Sequence, residues 1–177
     1  KSLIEAIVEN PTMKSSNKKV AINITHDSVL DLQFHSWLKG FLKAQPDQSR
    51  FYFEVQEDAI LNHPEQSIHF ANLIKEVGAQ LGIDHYGREM ASLSYLQNIK
   101  PNYVKLDQSL SCDMSNEMDV GELTQRLVLT RAVINTALGS GVDVIITAVE
   151  DYEQLERVSE LQATGYQGFI IAPSDVN

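Results

Sequence analysis

The chain has 177 residues, 43% of them hydrophobic, so it is long enough to bury one substantial core. With a formal net charge of −10, the chain lacks overall the cationic footprint that nonspecific nucleic-acid binding needs, although a local basic pocket stays open. We expect no direct contact with nucleic acid. The single cysteine, Cys112, excludes an internal disulfide framework and is typical of a reducing compartment. No apolar run reaches the ~20 residues of a spanning helix, so we expect any membrane attachment outside this chain.

Predicted strands and helices alternate along the chain after an amphipathic helix over residues 1–9, which does not resemble a signal peptide. The buried-strand patterns lie at residues 20–24, 51–55, 81–84, 103–107, 142–149 and 168–171. The helical patterns lie at residues 34–42, 64–77, 90–96, 123–138 and 155–161. We expect the second of them to begin near Pro64 and the fourth to be closed by Gly139 and Gly141. This alternation predicts βαβ units with a parallel sheet, and the absence of a linker predicts one α/β domain over residues 1–177.

Polar side chains recur at the predicted strand ends. They are Asn23, Glu54, Glu57, Asp84, Lys105, Asp107, Glu150 and Gln167, the last expected just before the sixth strand. Any one of them alone could be a solvated strand end or a helix cap. Because parallel strands of an α/β barrel gather their carboxyl ends on one rim, the series as a whole favours a functional site.

The same residues resemble the motifs of the EAL domain, the TIM-barrel fold of bacterial cyclic di-GMP phosphodiesterases. The resemblance runs from about Val20 to Pro173 and lies in residues 23–25, 54–57, 84–89, 105–107, 149–150 and 167–168. It implies a (β/α)8 barrel and a cyclic di-GMP site that contains Asn23, Glu54, Asp84, Lys105, Asp107, Glu150 and Gln167. A complete barrel takes about 250 residues, so we predict that the first strands lie outside this sequence.

Several positions depart from the family pattern. Active members hold two divalent metals with Asn, Glu and Asp side chains, which makes Asn23, Glu54 and Asp84 the corresponding positions here. His85 replaces the second Asp of the loop, and the Glu-Ala-Leu motif is absent. Imidazole suits zinc or copper better than magnesium, and the exchange removes a negative charge. We therefore predict vestigial metal positions, no catalytic residues and no required cofactor.

The loop at residues 84–88 and the segment at 95–107 are similar to inactive EAL modules of the LapD type. That resemblance implies a cytoplasmic receptor domain of a bacterial inner-membrane GGDEF–EAL protein. Such a domain binds cyclic di-GMP without cleaving it, pairs as a homodimer and relays occupancy to a periplasmic protease partner in biofilm signalling. The alternatives are a nucleotide-independent scaffold of the CsrD type and a weak metal-dependent phosphodiesterase.

Two features of the predicted site and surface stay open at this point. Four acids would face a ligand with two phosphates, offset by Lys105 and Arg88, unless the carboxylates accept hydrogen bonds from guanine edges instead. A self-association surface is expected near residues 84–118, where Met114 and Met118 suit adaptable contacts, although a solvated surface loop fits that segment almost as well.

Overall fold

The computed structural model describes residues 2–10, 18–89, 93–110 and 120–171. The strands are β1 (Val20–Ile24), β2 (Phe51–Gln56), β3 (Gln80–Tyr86), β4 (Tyr103–Leu106), β5 (Asp143–Ile146) and β6 (Gly165–Tyr166). The helices are α1 (Ser2–Glu9), α2 (His26–Leu30), α3 (Leu32–Lys43), α4 (Glu57–Asn62), α5 (Pro64–Glu76), α6 (Leu96–Ile99), α7 (Val120–Gly139) and α8 (Tyr152–Ser159). Short 3-10 turns, Leu93–Tyr95 and Gln108–Leu110, follow β3 and β4.

The sheet confirms the predicted α/β class. Its six strands are ordered as they are in the chain, and the pairs β1–β2, β4–β5 and β5–β6 are parallel. This order, with helices between the strands, is that of part of a TIM-type barrel. By its internal contacts the chain divides into two compact units, residues 1–82 and 83–177.

The first unit contains β1, β2 and the helices up to α5. Asp31 begins α3 by accepting hydrogen bonds from the backbone N–H groups of Gln33 and Phe34, which satisfies two donors of the first turn. The helix then buries Leu38 and Leu42 completely, and each such leucine contributes about 1.5–3 kcal/mol. Helix α5 begins at Pro64, as predicted, whereas α4 was not predicted.

The second unit contains β4, β5, β6 and the long helix α7. Its core is formed by fully buried apolar side chains of the two central strands and of α7: Val104, Leu106, Val144, Ile146 and Ile134. Gly141 follows the end of α7 with a φ of +74°, a left-handed conformation that glycine adopts without steric cost. The predicted glycine-terminated helix is thereby confirmed.

The last two strands are shorter than predicted. Strand β5 ends at Ile146 rather than at Val149, since Ala148 has a left-handed φ of +57° that turns the chain. The sixth strand was predicted at residues 168–171, which is wrong, because β6 is Gly165–Tyr166. At Gly168 a Cβ atom would collide with three backbone atoms of Val149, so the chain there lies directly against the segment that follows β5. Gln167 therefore follows the sixth strand instead of preceding it.

Other predictions fall partly or wholly outside the described residues. These are Met90 at the start of the predicted helix over 90–96, and Cys112, Met114 and Met118. Of that predicted helix, the described part is a 3-10 turn followed by the four-residue α6. Within the described ranges, no helix combines the length and apolar character that crossing a bilayer requires.

Candidate functional site

The most constrained polar group of the second unit is the carboxylate of Asp107. The residue follows β4 directly, is only 4% exposed, and its backbone N–H donates to the carbonyl of Tyr86 at 3.0 Å. Its Oδ1 accepts from the backbone N–H of Ser109 at 2.9 Å, and its Oδ2 lies 2.9 Å from His85 Nδ1. The strand ends at β3 and β4 thus bring Asp84, His85 and Asp107 together, as predicted for the two aspartates.

The protonation state of this pair follows from its surroundings. Burial raises the pKa of Asp107, but hydrogen bonds from Ser109 and His85 outweigh it, and the net pKa lies below the ordinary value. Asp107 is therefore a carboxylate at neutral pH, and a carboxylate can only accept. His85 Nδ1 must therefore carry a hydrogen atom and donate a hydrogen bond to Asp107. The other ring nitrogen, Nε2, lies 3.9 Å from Asp84 Oδ2.

The backbone of the loop holds His85 in this position. His85 has a left-handed φ of +58°, which costs about 1–2 kcal/mol for a residue with a side chain. Asp84 Oδ1 accepts the backbone N–H of His85 at 2.9 Å, and the carbonyl of His85 accepts from the N–H of Arg88 at 3.2 Å. These bonds stabilise a tight turn that aims the imidazole at Asp107.

The turn also rests on α7. The hydroxyl of Tyr86, which is fully buried, donates to the carbonyl of Val133 at 3.3 Å. Gly87 has a φ of +83°, and a Cβ atom there would lie 2.9 Å from both Leu110 Cδ1 and Val133 Cγ1. The close side chains and the left-handed backbone together favour glycine at position 87. Thr130, on the same helix, donates to the carbonyl of Leu110 at 3.0 Å.

Glu150 and Gln167 lie together at the carboxyl ends of β5 and β6. Gln167 N–H donates to the carbonyl of Ile146 at 2.8 Å, and the carbonyl of Gln167 accepts from Val149 N–H at 3.2 Å. The backbone N–H of Glu150 donates to Gln154 Oε1 at 2.8 Å. The backbone at both positions is therefore fixed while both residues stay exposed, which suits groups that contact a ligand. Lys105, half-buried on β4, pairs in register with Ile145.

The first unit holds the remaining predicted site residues. Asn23 is exposed on β1 and lies opposite Glu54 of β2, which is 3% exposed. Glu57 is 1% exposed in the first turn of α4, where the helix dipole favours an acid. Just beyond the same strand ends, His26 Nε2 lies 2.8 Å from Asp58 Oδ1. That pair was not predicted, although its position directly after β1 and β2 could have indicated it.

The described residues of the second unit bring together two carboxylates, Asp84 and Asp107, and one imidazole, His85. Each oxygen of Asp107 already accepts one hydrogen bond, from Ser109 or from His85. The imidazole of His85 suits zinc or copper better than Mg²⁺ or Ca²⁺, which prefer oxygen ligands. Among the residues that the structure describes, no three or more His, Cys, Asp or Glu side chains are grouped to hold a metal ion. The second unit thus offers a hydrogen-bonded imidazole–carboxylate pair, the half-buried ammonium group of Lys105, and the exposed residues Glu150 and Gln167.

Comparison with known proteins identifies similar sequences and folds. The sequence model of the family described as "EAL domain" matches residues 2–174. The Vibrio cholerae LapD S helix-GGDEF-EAL structure bound to c-di-GMP is 29% identical, with a TM-score of 0.83 over 96% of this chain and 40% of that chain. The same protein in its apo form gives a TM-score of 0.82.

Two curated relatives carry different functional names. Pseudomonas aeruginosa cyclic di-GMP phosphodiesterase NbdA is 28% identical over 67% of this chain and 14% of its own length. Escherichia coli RNase E specificity factor CsrD is 20% identical over 89% of this chain and 24% of its own length. The chain thus spans a quarter or less of these two relatives.

Proposed function

This chain belongs to the EAL domain family, and we propose that it binds cyclic di-GMP but does not hydrolyse it. In this proposal it is a cytoplasmic receptor domain of a larger inner-membrane GGDEF–EAL signalling protein. The observation that carries the proposal of binding without hydrolysis is the 2.9 Å hydrogen bond between His85 Nδ1 and Asp107 Oδ2. The likeness to LapD, whose structure was obtained with c-di-GMP bound, supports the same conclusion.

The imidazole gives this site a property that a cluster of acids lacks. A hydrogen bond from His85 withdraws negative charge from Asp107, and the second ring nitrogen lies on the side of Asp84. The imidazole of His85 therefore partly offsets the negative charge of Asp84 and Asp107, which would otherwise repel a phosphate. We infer that binding of the nucleotide needs no divalent metal and no other cofactor.

Ligand contacts in the second unit are proposed for Asp84, Lys105, Asp107, Glu150 and Gln167. Lys105 is the cation that suits a phosphate, whereas the exposed Glu150 and Gln167 offer acceptors for the N–H groups of a guanine edge. In the first unit, Asn23 and Glu54 remain predicted contacts. Asn23, Glu54 and Asp84 stand at positions that hold metal in active members, and we propose no metal there.

The test is calorimetric titration of the protein with cyclic di-GMP, in EDTA and again in excess Mg²⁺ or Mn²⁺, with chromatography of the nucleotides afterwards. We expect saturable binding of similar affinity in both buffers, with the nucleotide intact. Accumulation of linear pGpG over several turnovers would show a metal-dependent phosphodiesterase, the activity in the name of NbdA. Absence of binding in either buffer would favour a scaffold role, the reading that the similarity to CsrD supports.

Two substitutions at one position sharpen this test. His85→Asp places a third carboxylate beside Asp84 and Asp107, so we expect affinity in EDTA to fall about tenfold or more through like-charge repulsion. His85→Gln is the matched control, because its amide keeps a donor for Asp107 without adding negative charge. Equal affinity of all three proteins in EDTA would remove His85 from the explanation of metal-independent binding.

A further inference from the structure

A histidine far from these strand ends is buried without a hydrogen-bond partner. His35 lies on α3 in the first unit and is 2% exposed. Neither of its ring nitrogens forms a hydrogen bond, which is unusual because buried polar groups are paired in the great majority of cases. The helical pattern of α3 accounts for the apolar residues around it but gives no reason for a histidine at this position.

Three aromatic rings pack around the imidazole of His35. The ring of His69 on α5 stacks on it with a centroid distance of 5.4 Å and an interplanar angle of 17°. Phe70 of α5 and Phe34 of α3 pack at centroid distances of 5.2 and 6.4 Å. His35 is therefore part of the contact between α3 and α5, and its neutral ring behaves there as a small aromatic side chain.

The charged and polar groups around the ring disfavour its cationic form. Burial is the largest effect, the neighbouring imidazole of His69 on α5 is the second, and both lower the pKa of His35. The carbonyl groups of Ser28 and Val29 on α2 and the carboxylate of Asp31 at the start of α3 oppose them. Neither carbonyl forms a well-aligned hydrogen bond with the ring, and the net pKa lies below the ordinary value.

We propose that His35 is an acid-sensitive contact whose protonation loosens the packing of α2 and α5 against α3. This inference is independent of nucleotide binding and concerns a conformational device of the first unit. A buried imidazolium without a partner is costly, so the folded chain keeps His35 neutral. Helix α2 begins directly after β1, so its loosening would also disturb the strand end that carries Asn23.

The direction of the effect follows from proton linkage. Well above the ordinary pKa of 6.5, His35 is neutral in both the folded and the unfolded chain. As the pH falls through that value, the unfolded chain takes up a proton that the folded chain does not. The stability that depends on neutral His35 is thus present above this pH and is lost on acidification.

The test is urea unfolding of the full chain at about pH 7.5 and about pH 5.5, with His35→Phe as the variant and His63→Gln as the control. Phenylalanine keeps an aromatic ring in the cluster but cannot take up a proton. We expect the unfolding equilibrium constant of the wild type to rise about tenfold more on acidification than that of His35→Phe. His63→Gln, which changes a histidine outside the ring cluster, should keep the extra pH dependence of the wild type.

Equal pH dependence of the wild type and His35→Phe would overturn the proposal. If His35→Phe does not fold, the wild-type chain itself decides, through the titration of the His35 ring proton signals in NMR spectra. A His35 midpoint clearly below the ordinary histidine value supports the device, whereas a midpoint at or above that value contradicts it.

Discussion

At the scale of single residues, Asp107 shows how a buried acid is kept charged. Its two oxygens accept from Ser109 and His85, and these bonds outweigh the effect of burial, so that its pKa is lowered. Hydrogen bonds to charged groups contribute about 1.5–3 kcal/mol each, more than the same bonds between neutral groups. The pair therefore stabilises the carboxyl ends of β3 and β4 as well as shaping the site.

Asp107→Asn is expected to lower the free energy of unfolding by about 1–3 kcal/mol at neutral pH, because an amide places a donor against one of the two existing donors. Since the folded pKa of Asp107 is lowered, its contribution is present above the ordinary pKa and is lost as the pH falls through the folded value. The wild type and the variant should therefore converge in acid. Urea unfolding at about pH 7 and about pH 3 measures both effects.

The control for this experiment is Asp143→Asn, which changes an exposed acid at the start of β5. Its effect should stay within about 0.5 kcal/mol at either pH. A gap between wild type and Asp107→Asn that is as large in acid as at neutral pH would show that charge on Asp107 is not the cause.

Glu150→Ala is expected to weaken cyclic di-GMP binding by about 1–3 kcal/mol, as for loss of a charged hydrogen-bond acceptor. Only the backbone of Glu150 is engaged with Gln154, so the exchange should leave the fold intact. Calorimetric titration measures the change, and Glu156→Ala on α8 is the matched control that removes an exposed acid on the following helix. Unchanged affinity in folded Glu150→Ala would place Glu150 outside the site.

At the scale of elements, the turn after β3 is built around α7. The hydroxyl of Tyr86 donates to the carbonyl of Val133, and Gly87 packs against the side chains of Leu110 and Val133. The hydroxyl of Thr130 donates to the carbonyl of Leu110. The segments that position Asp84, His85 and Asp107 therefore share one support. We therefore expect a change in the packing of α7 to alter the hydrogen bond between His85 and Asp107.

Gly87→Ala tests this support. The added Cβ would meet Leu110 and Val133 at 2.9 Å in a backbone conformation with φ of +83°, so we expect a loss of about 2–4 kcal/mol of unfolding free energy. Gly40→Ala on α3 is the matched control, since no atom lies within 4 Å of its Cβ position. That exchange should stabilise the helix by about 1 kcal/mol. Similar effects of both exchanges in thermal unfolding would contradict this account.

At the scale of the whole molecule, we expect concentration-dependent self-association that cyclic di-GMP alters. The predicted surface covers residues 84–118, which the structure describes up to Glu89 and again from Leu93 to Leu110. The described part includes three of the proposed ligand contacts, Asp84, Lys105 and Asp107. Sedimentation velocity at rising protein concentration, with and without the nucleotide, is the measurement. A strict monomer under both conditions would contradict this expectation.

The sequence by itself determined the fold class and most of the strand ends. Alternating apolar patterns separated by helical spacing placed β1 to β4 within a few residues, because local periodicity reflects which face of each element is buried. The same patterns placed Asp84, Lys105 and Asp107 at adjacent strand ends, and the motifs around them predicted the family. Pro64 and Gly141 marked a helix start and a helix end through their own backbone restrictions.

Tertiary structure alone decided what the side chains bond to. Sequence spacing predicted that His85 stands beside Asp84, but not that its ring turns to Asp107, because that depends on a left-handed backbone and on a contact 22 residues away. It placed the sixth strand too late, since the close approach of Gly168 to Val149 is a contact between segments distant in the chain. It gave no sign that His35 lacks partners, because burial and hydrogen bonding are properties of the packed helices and not of the local sequence.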